Sequence, residues 1–295
     1  MSDKSPKSPI VVVDGGGSSC RAAACDVAGS VLARVEIKAH ASLTLGVEEA
    51  WQHIQQSFSQ LADRLNIRGD WQPDVLYMGL AGSMQTDQRQ RFLKQIPAPI
   101  QVTLVTDGMA QLIGASGDKP GICVSIGTGS VLHWQDEQGV TGMAGGWGFP
   151  AGDEGSGAWL GFKLLQRYLW HRDGQTSNSP LMQIAESVVG CSVSDIQQWT
   201  SQARSTQLAE LARPVIDHLG SGDSLAIELV EEGTQCILRL VTIAPEHLPV
   251  FVVGGLADGY KEYLARQLGD RMVTAQGDAL SGLYQLHKRL DTPLA

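Results

Sequence analysis

A chain of 295 residues with 43% hydrophobic and 18% charged residues can bury a sizeable core, and its composition is far from that of disordered chains. Its formal net charge of −9, without a dense Lys/Arg run, argues against a nucleic-acid backbone or an anionic membrane as partner, so any phosphate ligand has to be held locally. The five cysteines are scattered without a CxxC pair, which suits neither a disulfide framework nor a zinc knuckle and points to the reducing cytoplasm.

This length is at the upper end of what one core supports, so two lobes are expected. Residues 1–9 read as a disordered tail, and the apolar run Ile10–Val13 is too short for a signal-peptide core or a membrane span. The run is β-branched and stops at Asp14-Gly15-Gly16-Gly17-Ser18, the pattern of a buried strand entering a tight turn. Strands at Arg21–Val27 and Val31–Ala39 complete a meander. A helix over Ser42–Leu65, a strand over Val75–Leu80, a helix over Thr86–Gln95 and a strand over Gln101–Thr106 follow.

From Gly121 the opening pattern returns. A strand over Ile122–Ile126 enters Gly127-Thr128-Gly129-Ser130, and then come Val131–Trp134, a turn at Asp136–Gly139 and a third strand from Val140. The repeat suggests a duplicated βββαβα unit. Helices are predicted at Ala158–His171, Leu181–Val188, Val193–Ala203 and Asp223–Thr242, then a strand Val250–Val253 entering Gly254-Gly255, and a helix Asp278–Leu290. The expected division is an N-terminal lobe over 10–115, closed by a C-terminal helix within 276–295, and a C-terminal lobe over 116–275.

Three glycine-rich turns, at 14–19, 127–130 and 254–259, each follow a buried strand. Glycines allow turns with positive φ whose N–H groups converge on an anion, and Ser or Thr hydroxyls add further bonds. One such turn is weak evidence, since an ordinary tight turn reads alike; three in order, two of them on a repeated unit, suggest phosphate binding. Asp107, between a strand and Gly108, reads either as a helix N-cap or as a carboxylate presented at a strand end. Asp153 and Glu154 could cap the helix that starts near Ser156, the better role for Glu154. The seven histidines form no cluster and are assigned no site.

DGGGSSCR at 14–21 and VSIGTGS at 124–130 resemble the two phosphate motifs, and VFVVGGLAD at 250–258 the adenosine motif, of the superfamily that contains hexokinase, actin and Hsp70. GGWGFPAGDEGSGAWLG at 145–161 narrows the resemblance to the BadF/BadG-type ATPase family, and within it to N-acetylglucosamine and glucosamine kinases. That resemblance implies an α/β, two-lobed ribonuclease H-like (actin-like ATPase) fold with an interlobe cleft, and a cytoplasmic kinase that moves the γ-phosphoryl group of ATP onto the 6-hydroxyl of an amino sugar. By position it implies that Asp14 organises Mg2+, through water, while Gly15, Gly16, Gly17 and Ser18 hold β/γ-phosphates with Gly127, Thr128 and Gly129. Gly254 and Gly255 take the adenosine, Asp107 is the catalytic base, and Ser42, Asp107, Gly145, Gly146 and Asp153 hold the sugar.

Two positions depart from the family: Ser42 stands where related kinases commonly place Asn, and Ala81 where some carry Ser. The competing readings are an ATPase activator with a subunit-bridging iron–sulfur cluster, disfavoured because Cys123 lies in a buried-strand pattern and Cys236 in a helix, and a non-enzymatic sugar-sensing protein. A homodimer is left open, and neither nucleic acid nor membrane is expected as partner.

Overall fold

The computed structural model describes residues 9–291. Of the tail expected over residues 1–9, only Pro9 falls within that range, and residues 292–295 of the expected closing helix also lie outside it. The chain forms two compact units, one up to Lys119 and again from Ala275, the other Pro120–Thr274.

In the first unit the elements are β1 (Ile10–Gly15), β2 (Cys20–Cys25), β3 (Val31–Ile37), α1 (Val47–Arg64), β4 (Val75–Leu80), α2 (Thr86–Leu93), β5 (Gln101–Val105) and α3 (Asp107–Ser116). The sheet order is β3-β2-β1-β4-β5. The pairs β1/β2 and β2/β3 are antiparallel, and β1/β4 and β4/β5 are parallel. β1 is buried along its length because both faces of the sheet are covered, which is why it reads as a continuous apolar run. On one face Val11 and Val13 join Trp51, Ile54, Phe58 and Leu61 of α1; on the other Ile10 and Val12 join Ala110 and Ile113. β3 alternates between exposed and buried residues, as an edge strand half covered by α1 should.

The helix expected from Ser42 begins at Val47. Segment 42–46 is held instead as turns, with Leu43 N–H donating to the Ala81 carbonyl at 2.8 Å and Leu45 N–H to the Ser42 carbonyl at 3.3 Å, so its backbone groups are engaged outside a helical ladder.

The second unit contains β6 (Gly121–Ile126), β7 (Ser130–Gln135), β8 (Thr141–Gly145), α4 (Gly157–Arg172), α5 (Pro180–Val189), α6 (Val193–Gln202), α7 (Ser205–Glu210), α8 (Ala212–His218), α9 (Ser224–Val241), β9 (Val250–Val253) and α10 (Ala257–Leu268). Its sheet order, β8-β7-β6-β9, repeats that of β3-β2-β1-β4. The place of a fifth strand is taken by one parallel bridge between Val250 and Met272, with Val273 N–H donating to the Val250 carbonyl at 2.9 Å. Helices α7, α8 and α10 were not predicted. Gly259 in the first turn of α10 reads as a breaker, yet Ile216 occupies the space its side chain would take, with Ile216 Cδ1 2.5 Å from an added Cβ. Pro214 in α8 lies in the first turn, where its missing N–H is tolerated. Among the described residues no helix is long and apolar enough to cross a membrane.

The last helix, α11 (Ala279–Asp291), belongs to the first unit and packs on α3. The two helices cross at glycines: a Cβ on Gly282 would lie 2.2 Å from the Ala110 carbonyl oxygen, and one on Gly114 2.0 Å from that of Asp278. Backbone cannot yield as a side chain can. Gly282→Ala is therefore expected to destabilise the protein by about 2–3 kcal/mol despite alanine's better helix propensity. Gly220→Ala, whose Cβ meets nothing within 4 Å, should be neutral or stabilising. Urea denaturation of both variants measures the contrast.

Candidate active site

The turn after β1 is tied down by backbone bonds. Gly16 N–H donates to the Ser19 carbonyl at 3.0 Å, Ala41 N–H to that of Gly16 at 2.9 Å, and Ala81 N–H to that of Gly15 at 2.9 Å. The turn, segment 41–43 and Ala81 thus form one patch, which puts the two positions that depart from the family, Ser42 and Ala81, beside each other. Gly15 is required by packing, since its Cβ would fall 2.6 Å from that of Ala41. Gly16 and Gly17 face open space, with nothing within 4 Å of an added Cβ. Neither has a positive φ, nor do Gly127 and Gly129, so left-handed backbone is not what requires glycine at these turns; Gly127 too faces open space, whereas a Cβ on Gly129 would meet Asp153. Ser18 is exposed, whereas Ser42 is 4% exposed and offers little surface to a sugar.

Asp14 ends the apolar part of β1, in register with Arg21 on β2 and Gly79 on β4. Arg21 Nε donates to Asp14 Oδ2 at 3.0 Å and Nη2 donates to the same oxygen. Burial pushes the Asp14 carboxyl above the usual range, opposed by the Arg21 charge. Arg21 was not singled out from the sequence; the hairpin register of the two residues around the turn is the signal that could have found it.

Asp107 opens α3 at its first helical position. The cap is Thr106, whose Oγ1 accepts from Met109 N–H at 3.0 Å, so the N-cap reading of Asp107 is set aside. Gly79 makes room for it: a Cβ there would stand 3.5 Å from Asp107 Cα and 2.7 Å from Ala110 Cβ. Burial raises the Asp107 carboxyl, and the charge of Asp14 adds to the rise while the Gly108 amide opposes it. The fold of this unit therefore sets two carboxylates within each other's field beside an open glycine turn.

The second unit gathers the other predicted residues. Gly127 N–H donates to the Gly129 carbonyl at 2.9 Å, and the Gly127 and Thr128 carbonyls accept from Gly157 and Ala158 N–H, which fastens the turn to the start of α4. Gly254, at φ 103°, comes within 2.4 Å of the Ile126 carbonyl oxygen by its missing Cβ, and Gly255 faces open space. Gly145, at φ 73°, ends β8 and Gly146, at φ 71°, follows it, with Gly146 N–H donating to the Ser130 carbonyl at 3.0 Å. Asp153 is a non-glycine residue in the left-handed region, at φ 63°, and its carboxylate lies 2.6 Å from where a Cβ on Gly129 would be. Burial raises its carboxyl, opposed by the amides of Ser130, Gly148 and Phe149. The cap of α4 is Ser156, which accepts from Trp159 N–H at 3.2 Å, so neither Asp153 nor Glu154 has that role. Trp147, 80% exposed, stands in the same loop and was not predicted.

Residues 11–270 match the BadF/BadG/BcrA/BcrD ATPase family. The chain belongs to this family. It is 29% identical over 278 residues to the glucosamine kinase GspK of Vibrio cholerae, covering 92% of this chain and 93% of that one. It is 24% identical to the N-acetylmuramic acid/N-acetylglucosamine kinase of Clostridium acetobutylicum, covering 81% and 80%. A solved Chromobacterium violaceum structure, described as a candidate N-acetylglucosamine kinase, superposes with a TM-score of 0.87 at 30% identity, over 96% of this chain and all of that one.

A subunit-bridging iron–sulfur cluster would need exposed thiolates. Cys123 is 2% exposed, in β6, and burial pushes its thiol up to about 12, so it is no surface thiolate. Cys236 is half-buried with Arg239 Nη2 at 3.1 Å, and Cys20 and Cys25 are buried in the first unit.

The shift at Asp107 has a sign that can be tested. Its folded carboxyl titrates above the ordinary 3.8, so its contribution to stability is present at low pH and is lost as pH rises through the folded value. Asp107→Asn removes that penalty, so the melting temperature of variant minus wild type should grow from about pH 4 to about pH 7. A difference that shrinks over this range rejects the buried-charge description.

Proposed function

We propose that this protein is an ATP-dependent amino-sugar kinase that phosphorylates the 6-hydroxyl of glucosamine or N-acetylglucosamine in the cytoplasm. The observation that carries the mechanism is Asp107: a half-buried carboxylate freed from capping by Thr106, raised by burial, and within the field of Asp14 beside the open turn. The amino-sugar assignment is supported by the kinases it resembles over most of its length.

Phosphoryl transfer asks the protein mainly to align nucleophile and phosphate and to stabilise developing charge. Gly15, Gly16, Gly17 and Ser18, with Gly127, Thr128 and Gly129, would hold the phosphates, and the empty space over Gly16, Gly17 and Gly127 fits that use. Gly254 and Gly255 would lie against the adenosine. Asp107 would accept the proton of the sugar hydroxyl, and a carboxyl raised toward neutrality is better matched to that task than an ordinary one. Gly145, Gly146 and Asp153 would hold the sugar, with Ser42 at its edge.

Asp14 is the residue that would hold Mg2+, through water. Among the described residues no group of three or more His, Cys, Asp or Glu could cage a metal, which suits an ion bound by one carboxylate, water and substrate phosphates. When bound, the ion would neutralise charge on the phosphates.

Asp107→Asn should keep ATP and sugar affinity while kcat falls by about 10²–10⁴-fold. A coupled ADP-release screen with glucosamine, N-acetylglucosamine, N-acetylmannosamine and glucose tests the substrate. Glucose winning by kcat/KM overturns the amino-sugar assignment, and near-normal kcat in the variant removes Asp107 as base.

The glycine turns should separate binding from folding. Gly16→Val projects into open space and is expected to keep its melting temperature but weaken nucleotide binding about tenfold or more. Gly129→Val drives its side chain against the Asp153 carboxylate and should also lose about 1–3 kcal/mol of stability. Calorimetric nucleotide titration alongside thermal melts reads both effects.

A further inference from the structure

Strand β3 pairs with the sheet of the first unit on one side only, so its other side presents backbone N–H and C=O groups to whatever lies beyond. At seven residues it is the longest strand among the described residues, and it contains no proline. The one irregularity in its pairing with β2, opposite Ala24 and Cys25, lies at its start and leaves Ala33–Ile37 regular. Proteins usually blunt an edge of this kind by shortening it, bulging it or charging it.

The charge on this edge is of both signs. Ala33, Val35 and Ile37 are buried under α1, while Leu32, Arg34 and Glu36 point to the other face and are exposed. Across the sheet Glu36 stands in register with Arg21 on β2, and Arg21 with Asp14 on β1, a row that reads negative, positive, negative from the centre to the edge. Arg21 bonds to Asp14, so Glu36 acts on it only through its field and has no ion pair of its own among the described residues. Arg34 Nη2 meets Asp278 Oδ2 at 2.6 Å, which uses one corner of the guanidinium, and its side chain is 51% exposed. A single sign of charge here would repel a second copy. Opposite signs two residues apart do not.

We propose that a second copy of this chain docks on this edge, β3 antiparallel to β3, so that the two five-stranded sheets run on as one. A two-fold axis standing on Val35 pairs the whole regular run Ala33–Ile37 with its own copy. It also sets Arg34 opposite Glu36 of the second copy and Glu36 opposite Arg34 of the second copy, two attractive pairs from one self-complementary contact. Standing the axis on Arg34 or on Glu36 instead puts that residue against its own copy, and like charges directly opposed repel. The register that charge favours is therefore the one centred on the regular strand. In it the row from Asp14 to Glu36 gains a positive charge beyond the edge, and Leu32, 50% exposed, comes opposite Lys38 of the second copy, whose alkyl stem can cover it.

Neither the contact nor its test depends on the reaction catalysed. Sedimentation velocity of the full-length protein at about 50 µM should show a species of twice the chain's mass that dissociates on dilution, as a contact this narrow implies. Glu36→Arg, at an exposed position, should keep the melting temperature and weaken association about tenfold or more. Arg34→Glu should do the same. Mixed together, the two variants should associate again, because one then offers only negative and the other only positive charge at the opposed positions. A wild-type chain that stays single at this concentration, or a folded Glu36→Arg that associates as the wild type does, overturns the proposal. So does a mixture of the two folded variants that fails to associate. Should Arg34→Glu not fold, Glu36→Arg carries the test alone.

Discussion

Asp107 stands where it does because three glycines let backbone lie on backbone. Gly79 in β4 admits the first turn of α3, and Gly114 and Gly282 let α3 and α11 cross with carbonyl oxygens where side chains would otherwise be. A side chain at any of the three would push α3 away from the sheet and carry its first residue with it. Interiors packed to this density do not deform gradually, so the site's geometry is as stiff as these contacts. The chain's last helix thus helps to position Asp107 although it lies some distance along the sequence from it.

Electrostatics works against the same arrangement. Asp14 and Asp107 are both raised by burial, and the charge of Asp14 raises Asp107 further, with Arg21 as the near counter-charge to Asp14. Hydrophobic residues of similar size would fold more comfortably at these two positions. Two ill-solvated carboxylates in a unit with a well-formed apolar core mark a candidate functional site, because the desolvation that costs stability is what tunes such groups.

Much of the fold was legible because burial on both faces removes ambiguity. β1, β4 and β9 read as strands for that reason, and β4 and β9 were bounded as observed. The start of α1 was misplaced because Ser42–Gly46 is compatible with a helix locally and is drawn off it by a partner, Ala81, that is remote in sequence. Helices α8 and α10 escaped because Pro214 and Gly259 read as breakers, and what makes such residues tolerable, as Ile216 against Gly259, is tertiary; α7, six residues long, is too short to show a helical period. The glycine turns were found as motifs, but the reason for them was not: whether Gly16 serves φ or space depends on what surrounds its missing Cβ. Arg21 and Trp147 carry no local signal of their own, one depending on hairpin register and the other on exposure.

The repeat clarifies how chemistry can be added to a duplicated scaffold. The two sheets share the strand order of their first four members, and both first turns are glycine-rich, so each unit supplies a neutral backbone turn of the kind that suits phosphate. With Gly15 matched to Gly127, the position of Asp14 is taken in the second unit by Ile126, which is fully buried and whose carbonyl accepts from Leu256 N–H at 3.0 Å. There the strand end is used for packing, and it fastens the turn after β9. In the first unit the same strand end carries a charge, and a full fifth strand delivers Asp107 beside it, where the second unit has only the Val250–Met272 bridge. The second unit thus has an apolar residue at this strand end, while the first gathers Asp14 and Asp107. For the proposed kinase, a second acidic strand end would add like charge to an anionic substrate, and a neutral one in the first unit would leave nothing to accept a proton.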